Sequence, residues 1–231
     1  MDNYPILTGE KVVLRPITDA DTDCIVRWRN TPSVRDNFIF RQTFTPEMHR
    51  NWLKTKVATG DVVQYIIEDK ANGTPVGSVY YRDVDHDFNS AEYGIFIGEE
   101  SARGKGFGTE TARLFTDFGF AALGLHRISL RVLAENTPAR RSYAAAGFVE
   151  EGTFRDMVRL DGVYRDVVFM AKIAQYRITA DGEDLYGKAA TTAEKDAPGA
   201  AWHRGRVAVS AAVLHAGVPH PALAGVDAAQ Y

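Results

Sequence analysis

The sequence is nearly devoid of cysteine: Cys24 stands alone among 231 residues. That excludes an internal disulfide framework and any zinc site built on several thiolates. Long apolar runs are missing too. No stretch approaches the roughly 18–20 uncharged apolar residues that span a bilayer, and Met1–Glu10 lacks the basic start and apolar core of a signal peptide. Neither sign of charge is in excess, with 27 Lys and Arg against 30 Asp and Glu. A chain so balanced exerts no global pull on nucleic acid or an anionic membrane, so an anion must be held by a local site. His203, His215 and His220 show no repeated ligand spacing, and no metal is expected. These absences lead to the expectation of a soluble cytoplasmic protein that partners neither nucleic acid nor membrane.

What is present is an ordinary globular composition, 45% hydrophobic and 25% charged. Its texture changes near Tyr176–Asp181. Residues 1–176 alternate apolar runs, amphipathic stretches and turn signals; residues 177–231 are rich in Ala, Gly and small polar residues, and alanine buries little area per ordered residue. A catalytic-type domain over 1–176 and an extension over 177–231 are therefore expected, the latter docking on the domain or on another subunit through Trp202 and Val207–Leu214. Within the first part, Lys11–Ile17, Val62–Glu68, Val76–Tyr81, Ala91–Ile97 and Arg127–Leu133 read as five strands. Helices are expected after the caps Thr18 and Thr45, over Thr109–Leu123, and after Thr137-Pro138 to a stop at Gly147. Phe148–Phe154 and Val163–Ile173 close the unit as an antiparallel pair around Leu160-Asp161-Gly162. Strands and helices interleave but the close is antiparallel, which predicts a mixed sheet covered by helices, α/β or α+β.

The most informative segment is Arg103-Gly104-Lys105-Gly106-Phe107-Gly108-Thr109. A strand runs toward it and a helix starts from it. Glycines let successive N–H groups converge, while the helix adds unpaired first-turn donors and the positive end of its dipole. With Arg103 and Lys105 this makes a pocket for a pyrophosphate or similar anion. It is neither a GxxxxGK[ST] loop nor a GxGxxG fingerprint after a first strand. The plain alternative is a flexible connection.

Arg103-x-x-Gly106-x-Gly108 matches the Q/R-x-x-G-x-G/A motif of the GNAT family of N-acetyltransferases, and the chain resembles that family over about Lys11–Ile173. Ala91–Ile97, Leu125-His126-Arg127-Ile128 and the segment Asn136–Phe148, with its Asn, Tyr and Gly-Phe, support the resemblance in order and spacing. It implies a mixed, mostly antiparallel sheet flanked by helices, whose fourth and fifth strands splay apart. Acetyl-CoA is implied as co-substrate, its pantetheine arm pairing with Ile95, Phe96 and Ile97. Its pyrophosphate is expected on Arg103, Gly104, Lys105, Gly106, Phe107, Gly108 and Thr109, with Asn136 and Arg140 lining the other side.

Such a transfer sets a proton problem at each end. An alkyl amine with a pKa of roughly 10 arrives protonated and must lose that proton to a base. The leaving thiolate then gains one. Glu92, beside the implied acetyl position, is the candidate base or ammonium anchor, and an ion pair within the sheet is its structural alternative. Tyr143 is the candidate general acid, against a packed aromatic bonded to a carbonyl. Cys24 and His126 read as packing residues.

The acceptor stays open. Specificity should come from Trp28–His49 and Arg82–Ser90: Asp83, Asp85, Asp87 and Glu92 favour a polycation, while Arg29, Arg35 and Arg41 favour a phosphorylated or carboxylated amine. The segments resemble both amino-sugar and spermidine or ribosomal-protein N-terminal acetyltransferases. The expectation is a small-molecule amine, polyamine or amino-sugar-like, with a homodimer allowed. The alternatives are protein N-terminal acetylation and a non-catalytic acetyl-CoA-binding regulatory module.

Overall fold

The β-branched and aromatic runs become strands, with one addition at the sheet's edge, in a computed structural model that describes residues 4–174. The boundary near Tyr176 and the docking expected of Trp202 and Val207–Leu214 lie outside the described residues. The addition is β1 (Leu7–Thr8), a two-residue strand on β2 (Val12–Pro16). There follow β3 (Val63–Asp69), β4 (Thr74–Asp85), β5 (Ser90–Ile97), β6 (Arg127–Leu133), β7 (Val149–Leu160) and β8 (Val163–Ile173). They form one sheet in the order β1-β2-β3-β4-β5-β6-β8-β7, antiparallel at every step except β5–β6. This is the mixed, mostly antiparallel sheet expected. The expected fourth and fifth strands are β5 and β6.

The helices are α1 (Thr22–Asn30), α2 (Pro32–Arg35), α3 (Pro46–Trp52), α4 (Phe107–Ala121) and α5 (Thr137–Ala145). Thr45 caps α3 by accepting the Met48 N–H at 3.3 Å, with Pro46 in the first turn where its missing donor costs nothing. A 3-10 turn, Asp19–Asp21, leads into α1, and there Asp21 receives both Arg15 terminal nitrogens at 2.7 and 2.9 Å. Its carboxylate is buried, which would raise its pKa, but the Arg15 pairing and the Thr18 N–H outweigh burial and hold it below the usual range.

The period-2 alternation of β3 decides how the sheet is covered. Val63, Tyr65 and Ile67 pack with Val79, Tyr81, Phe115 and Phe118, placing α4 on one face. Ile66 points the other way, to Ile17, Ile25, Trp28, Val34 and Phe96 under α1 and α2. All seven residues of β6 pair with β8, from Arg127↔Ile173 to Leu133↔Val167, and β4 pairs along β5 as far as Gly77↔Ile97. Each of the two strands at the parallel step is thus anchored by an antiparallel neighbour.

Candidate active site

β5 and β6 touch over only three positions, Ser90↔Arg127, Ala91↔Ile128 and Glu92↔Ser129. Beyond Glu92 they part, and residues 93–97 have no ladder partner on the β6 side among the described residues. A bulge in β4 between Arg82 and Asp85, with Asp83 at φ +51°, stands next to the parting point, and bulges increase strand twist. A cavity of about 800 Å³ fills the opening. Its walls come from β5, β6, the start of α4, α5 and the α2–α3 connection.

At one end lies the glycine-rich turn. After a 3-10 turn, Glu100–Ala102, the chain takes positive φ at Gly104 (+72°) and again at Gly106 (+86°), the N-cap of α4. A side chain is disfavoured at both positions by that backbone region. Space above Gly104 is open, and the nearest atom to a Cβ on Gly106 is Lys11 Nζ at 3.5 Å. Phe107 is buried and fixes the helix start two residues before the expected Thr109. The amides of Gly108 and Thr109 therefore sit in the first turn, without intrahelical acceptors. Together the bare backbone and donor-rich helix terminus suit a diphosphate. Arg103 donates to the Ile97 carbonyl at 3.1 Å, bridging the turn to the end of β5. Lys105 does not line the cavity; its carbonyl accepts from Lys11 at 3.3 Å.

Across the opening, Asn136 caps α5 by accepting the Ala139 N–H at 3.2 Å and lines the cavity. Thr109 and Ser142 share a hydrogen bond of 2.9 Å, tying the first turn of α4 to α5. Arg140 faces elsewhere: its guanidinium takes Glu150 at 2.7 Å and the Ala134 carbonyl at 3.0 Å. One residue on, about 100° around the helix, Arg141 lines the cavity instead. Tyr143 also lines it, edge-on to Tyr93 at 6.1 Å and 86°. Its hydroxyl has no hydrogen-bond partner among the described residues, and burial pushes its pKa up. The buried Tyr93 phenol is likewise unpartnered, and burial pushes it well above the ordinary value.

Glu92 sits at the apex where the strands separate. One oxygen accepts from Arg82 of β4 at 2.6 Å, and the other pairs with Arg131 of β6 at 2.9 Å. The three side chains are only 19–27% exposed, so this carboxylate staples β4, β5 and β6 while lining the cavity. The sequence reading missed both arginines. Arg131 had a signal, because Arg127, Ser129 and Arg131 alternate with apolar residues on one side of β6. Arg82 falls just past the strand expected over Val76–Tyr81, whereas β4 continues to Asp85.

The remaining expected groups fall outside the opening. Asp85 accepts from the Asp87 and Phe88 amides at 2.9 and 2.8 Å, folding its own turn, and neither it nor Asp83 or Asp87 lines the cavity. Arg35 pairs with Asp36 at 3.2 Å and Arg41 with Asp161 at 2.5 Å. The Cys24 thiol donates to the Asp21 carbonyl, and burial pushes its pKa up to about 11, which disfavours the nucleophilic thiolate. His126 leads into β6 with its N–H on the Asn89 carbonyl at 2.6 Å.

Known proteins share this arrangement. The model of the acetyltransferase (GNAT) domain matches residues 11–149. The spermidine N(1)-acetyltransferase of Vibrio cholerae is 36% identical over 104 residues, 45% of this chain and 59% of that protein. A crystal structure of spermidine N-acetyltransferase from Vibrio cholerae in complex with CoA and spermine superposes with a TM-score of 0.67 at 25% identity, covering 71% of this chain and 96% of that one. Mycobacterium smegmatis RimJ in complex with CoA-disulfide gives 0.64 at 26%, covering 74% and 86%. The domain match spans more than half of the chain and takes in the glycine turn, the strand opening and Tyr143. The chain belongs to the GNAT family of acetyltransferases.

Proposed function

We propose that this protein transfers the acetyl group of acetyl-CoA directly to a primary amine of a small molecule. The observation that carries this reading is the opening beyond Glu92, with a glycine-turned helix terminus at one end and an ion-paired carboxylate at its apex. When bound, acetyl-CoA supplies the activated thioester. The chain's own groups account for the rest. The amides following Gly104 and Gly106, with Arg103 and Arg141 nearby, hold the diphosphate. The unpaired edge of β5 over Ile95, Phe96 and Ile97 holds the amide-bearing arm and offers N–H groups to the oxygen that gains charge in the transition state. Asn136 and Thr109 lie along the same channel.

Glu92 receives the acceptor's ammonium and takes its proton, directly or through water. Because both its oxygens already serve guanidinium groups, it is also oriented before substrate arrives. Tyr143 faces the leaving sulfur. A phenol raised above its usual pKa stays protonated at neutral pH, while a thiol titrates at roughly 8.5. Full proton transfer from such a phenol to the thiolate is uphill, so Tyr143 acts chiefly as a hydrogen-bond donor to the departing sulfur. The test is CoA release from acetyl-CoA across a panel of primary amines, with the acetylated product identified by mass. Amine-dependent release supports the reading. Acetyl-CoA binding with no release to any amine contradicts it and favours a non-catalytic module.

A further inference from the structure

β4 carries two tyrosines in succession, and strand alternation sends them to opposite faces of the sheet. Tyr81 is buried against Phe115 and donates its hydroxyl to the Phe115 carbonyl at 2.7 Å, a packing residue with its polar end satisfied. Tyr80 points the other way, to the face that carries Arg82, and lines the cavity. It is half-buried, and its hydroxyl has no hydrogen-bond partner among the described residues. Its ladder partner on β5 is Gly94, as Arg82 is the partner of Glu92. A Cβ placed on Gly94 would overlap the end of the Tyr80 side chain, with the hydroxyl oxygen 2.5 Å away, and its three nearest neighbours all belong to Tyr80. The space a side chain would take at residue 94 is therefore filled by the phenol. Because β5 lies between β4 and β6, a ring that reaches from β4 across Gly94 carries its hydroxyl toward the parting of β5 and β6. Gly94 itself lies between Glu92 and the open edge at Ile95, Phe96 and Ile97, and it too lines the cavity. Glycine inside a strand weakens it and marks a close approach. An aromatic ring is a known cover for such a glycine, but that role needs no hydroxyl.

We propose that Tyr80 binds the amino group of the acceptor: its phenol oxygen accepts one amine N–H, next to Glu92, and holds the nitrogen against the thioester lying along β5. Gly94 is a positioning residue, bare so that the ring can cross the strand. The proposal rests on acetyl transfer from acetyl-CoA and adds the group that orients the nucleophile. An amine directs its lone pair at a carbonyl carbon only when its N–H groups are held away from that carbon, and a phenol oxygen has the lone pairs to hold one. Glu92, fixed by Arg82 and Arg131, receives the proton that must leave; Tyr80 keeps the nitrogen in place while it does.

Tyr80→Phe keeps the ring over Gly94 and removes only the oxygen. Spermidine, ethanolamine, glucosamine and 4-aminobutanoate serve as probes on the full chain. Two readouts are taken, kcat/KM for CoA release from acetyl-CoA and calorimetric binding of each amine to the CoA-loaded protein. For the amine that binds most tightly, Tyr80→Phe is expected to lower both kcat/KM and affinity by about tenfold or more, the scale of one hydrogen bond to a charged group. The KM for acetyl-CoA and the melting temperature should not move, because the hydroxyl bonds nothing among the described residues. Gly94→Ala, which drives the ring aside, should cost at least as much, and adding Tyr80→Phe to Gly94→Ala should cost little further. Amine affinity and kcat/KM in Tyr80→Phe equal to those of the parent overturn the proposal. So does a parent that binds none of the four amines, or a Tyr80→Phe loss confined to the KM for acetyl-CoA. Amine binding that depends on Tyr80, with no CoA release from any amine, would sustain this proposal while refuting acetyl transfer.

Discussion

Replacing Glu92 with Gln tests whether one carboxylate both staples the sheet and serves the chemistry. In the folded protein it accepts from Arg82 at 2.6 Å and pairs with Arg131 at 2.9 Å. An amide of the same shape removes the charge and leaves two guanidinium groups facing each other across the parting of β5 and β6. Each charge-assisted hydrogen bond contributes about 1.5–3 kcal/mol. About a fifth of each side chain remains in water, which argues for the low end. The expected loss is about 2–4 kcal/mol, or a drop in Tm of roughly 5–15 °C for a domain of this size. Differential scanning calorimetry measures it, and Arg82→Gln with Arg131→Gln in a double-mutant cycle assigns it to the cluster. Activity should fall separately, by about 10²–10⁴-fold in kcat at a temperature where the variant is fully folded. A variant as stable and as active as the parent would refute both halves of the reasoning. A stability loss with undiminished kcat would leave Glu92 as a staple alone.

Tyr143→Phe should lower kcat by roughly 10²-fold or more with little change in the KM for acetyl-CoA. Because its hydroxyl has no partner among the described residues, stability should stay within about 1 kcal/mol of the parent; an unchanged kcat contradicts the role. Asp21 predicts a pH dependence. Its folded-state pKa is depressed, so the stability it adds is present above the unfolded value near 3.9 and is lost as pH falls through the lower folded value. Urea unfolding of Asp21→Asn should show a deficit of about 3 kcal/mol at pH 7 that narrows sharply below pH 3. An equal deficit at both pH values argues against it.

The sheet was legible because its runs are long and clearly bounded. Arg127–Leu133 was expected with the limits it has, and the positive φ of Gly147 (+94°) ends α5 where a C-terminal glycine should. The two-residue β1 and the four-residue α2 escaped notice because so short an element has no period to detect. β4 was drawn too short, since Arg82-Asp83-Val84-Asp85 looks like a connection, and only the pairing of Arg82 with Glu92 and of Asp85 with Ser90, across a bulge at Asp83, carries the strand on. That error hid Arg82, and with it the surroundings of Glu92. The glycine turn could be read because its backbone demands are local. Arg140 and Arg141 could not be told apart in the same way: which neighbour faces the cavity depends on how α5 is rotated against β7, a tertiary fact. The acceptor end was least legible. Arg29, Arg35 and Arg41 look alike in sequence, and only the placement of Asp36 and Asp161 shows which of them are already paired.

The grip of the turn at Gly106 on the diphosphate of acetyl-CoA underlies every functional assignment, and calorimetric titration of the parent and of Gly106→Ala measures it most directly. A methyl group on this left-handed residue costs about 1–2 kcal/mol in the backbone conformation that the turn requires, and its nearest neighbour would be Lys11 Nζ at 3.5 Å. The account predicts micromolar-range binding by the parent and a loss of about tenfold or more in the variant, with far-ultraviolet circular dichroism unchanged. Equal affinities, or no binding by the parent at millimolar acetyl-CoA, would contradict it.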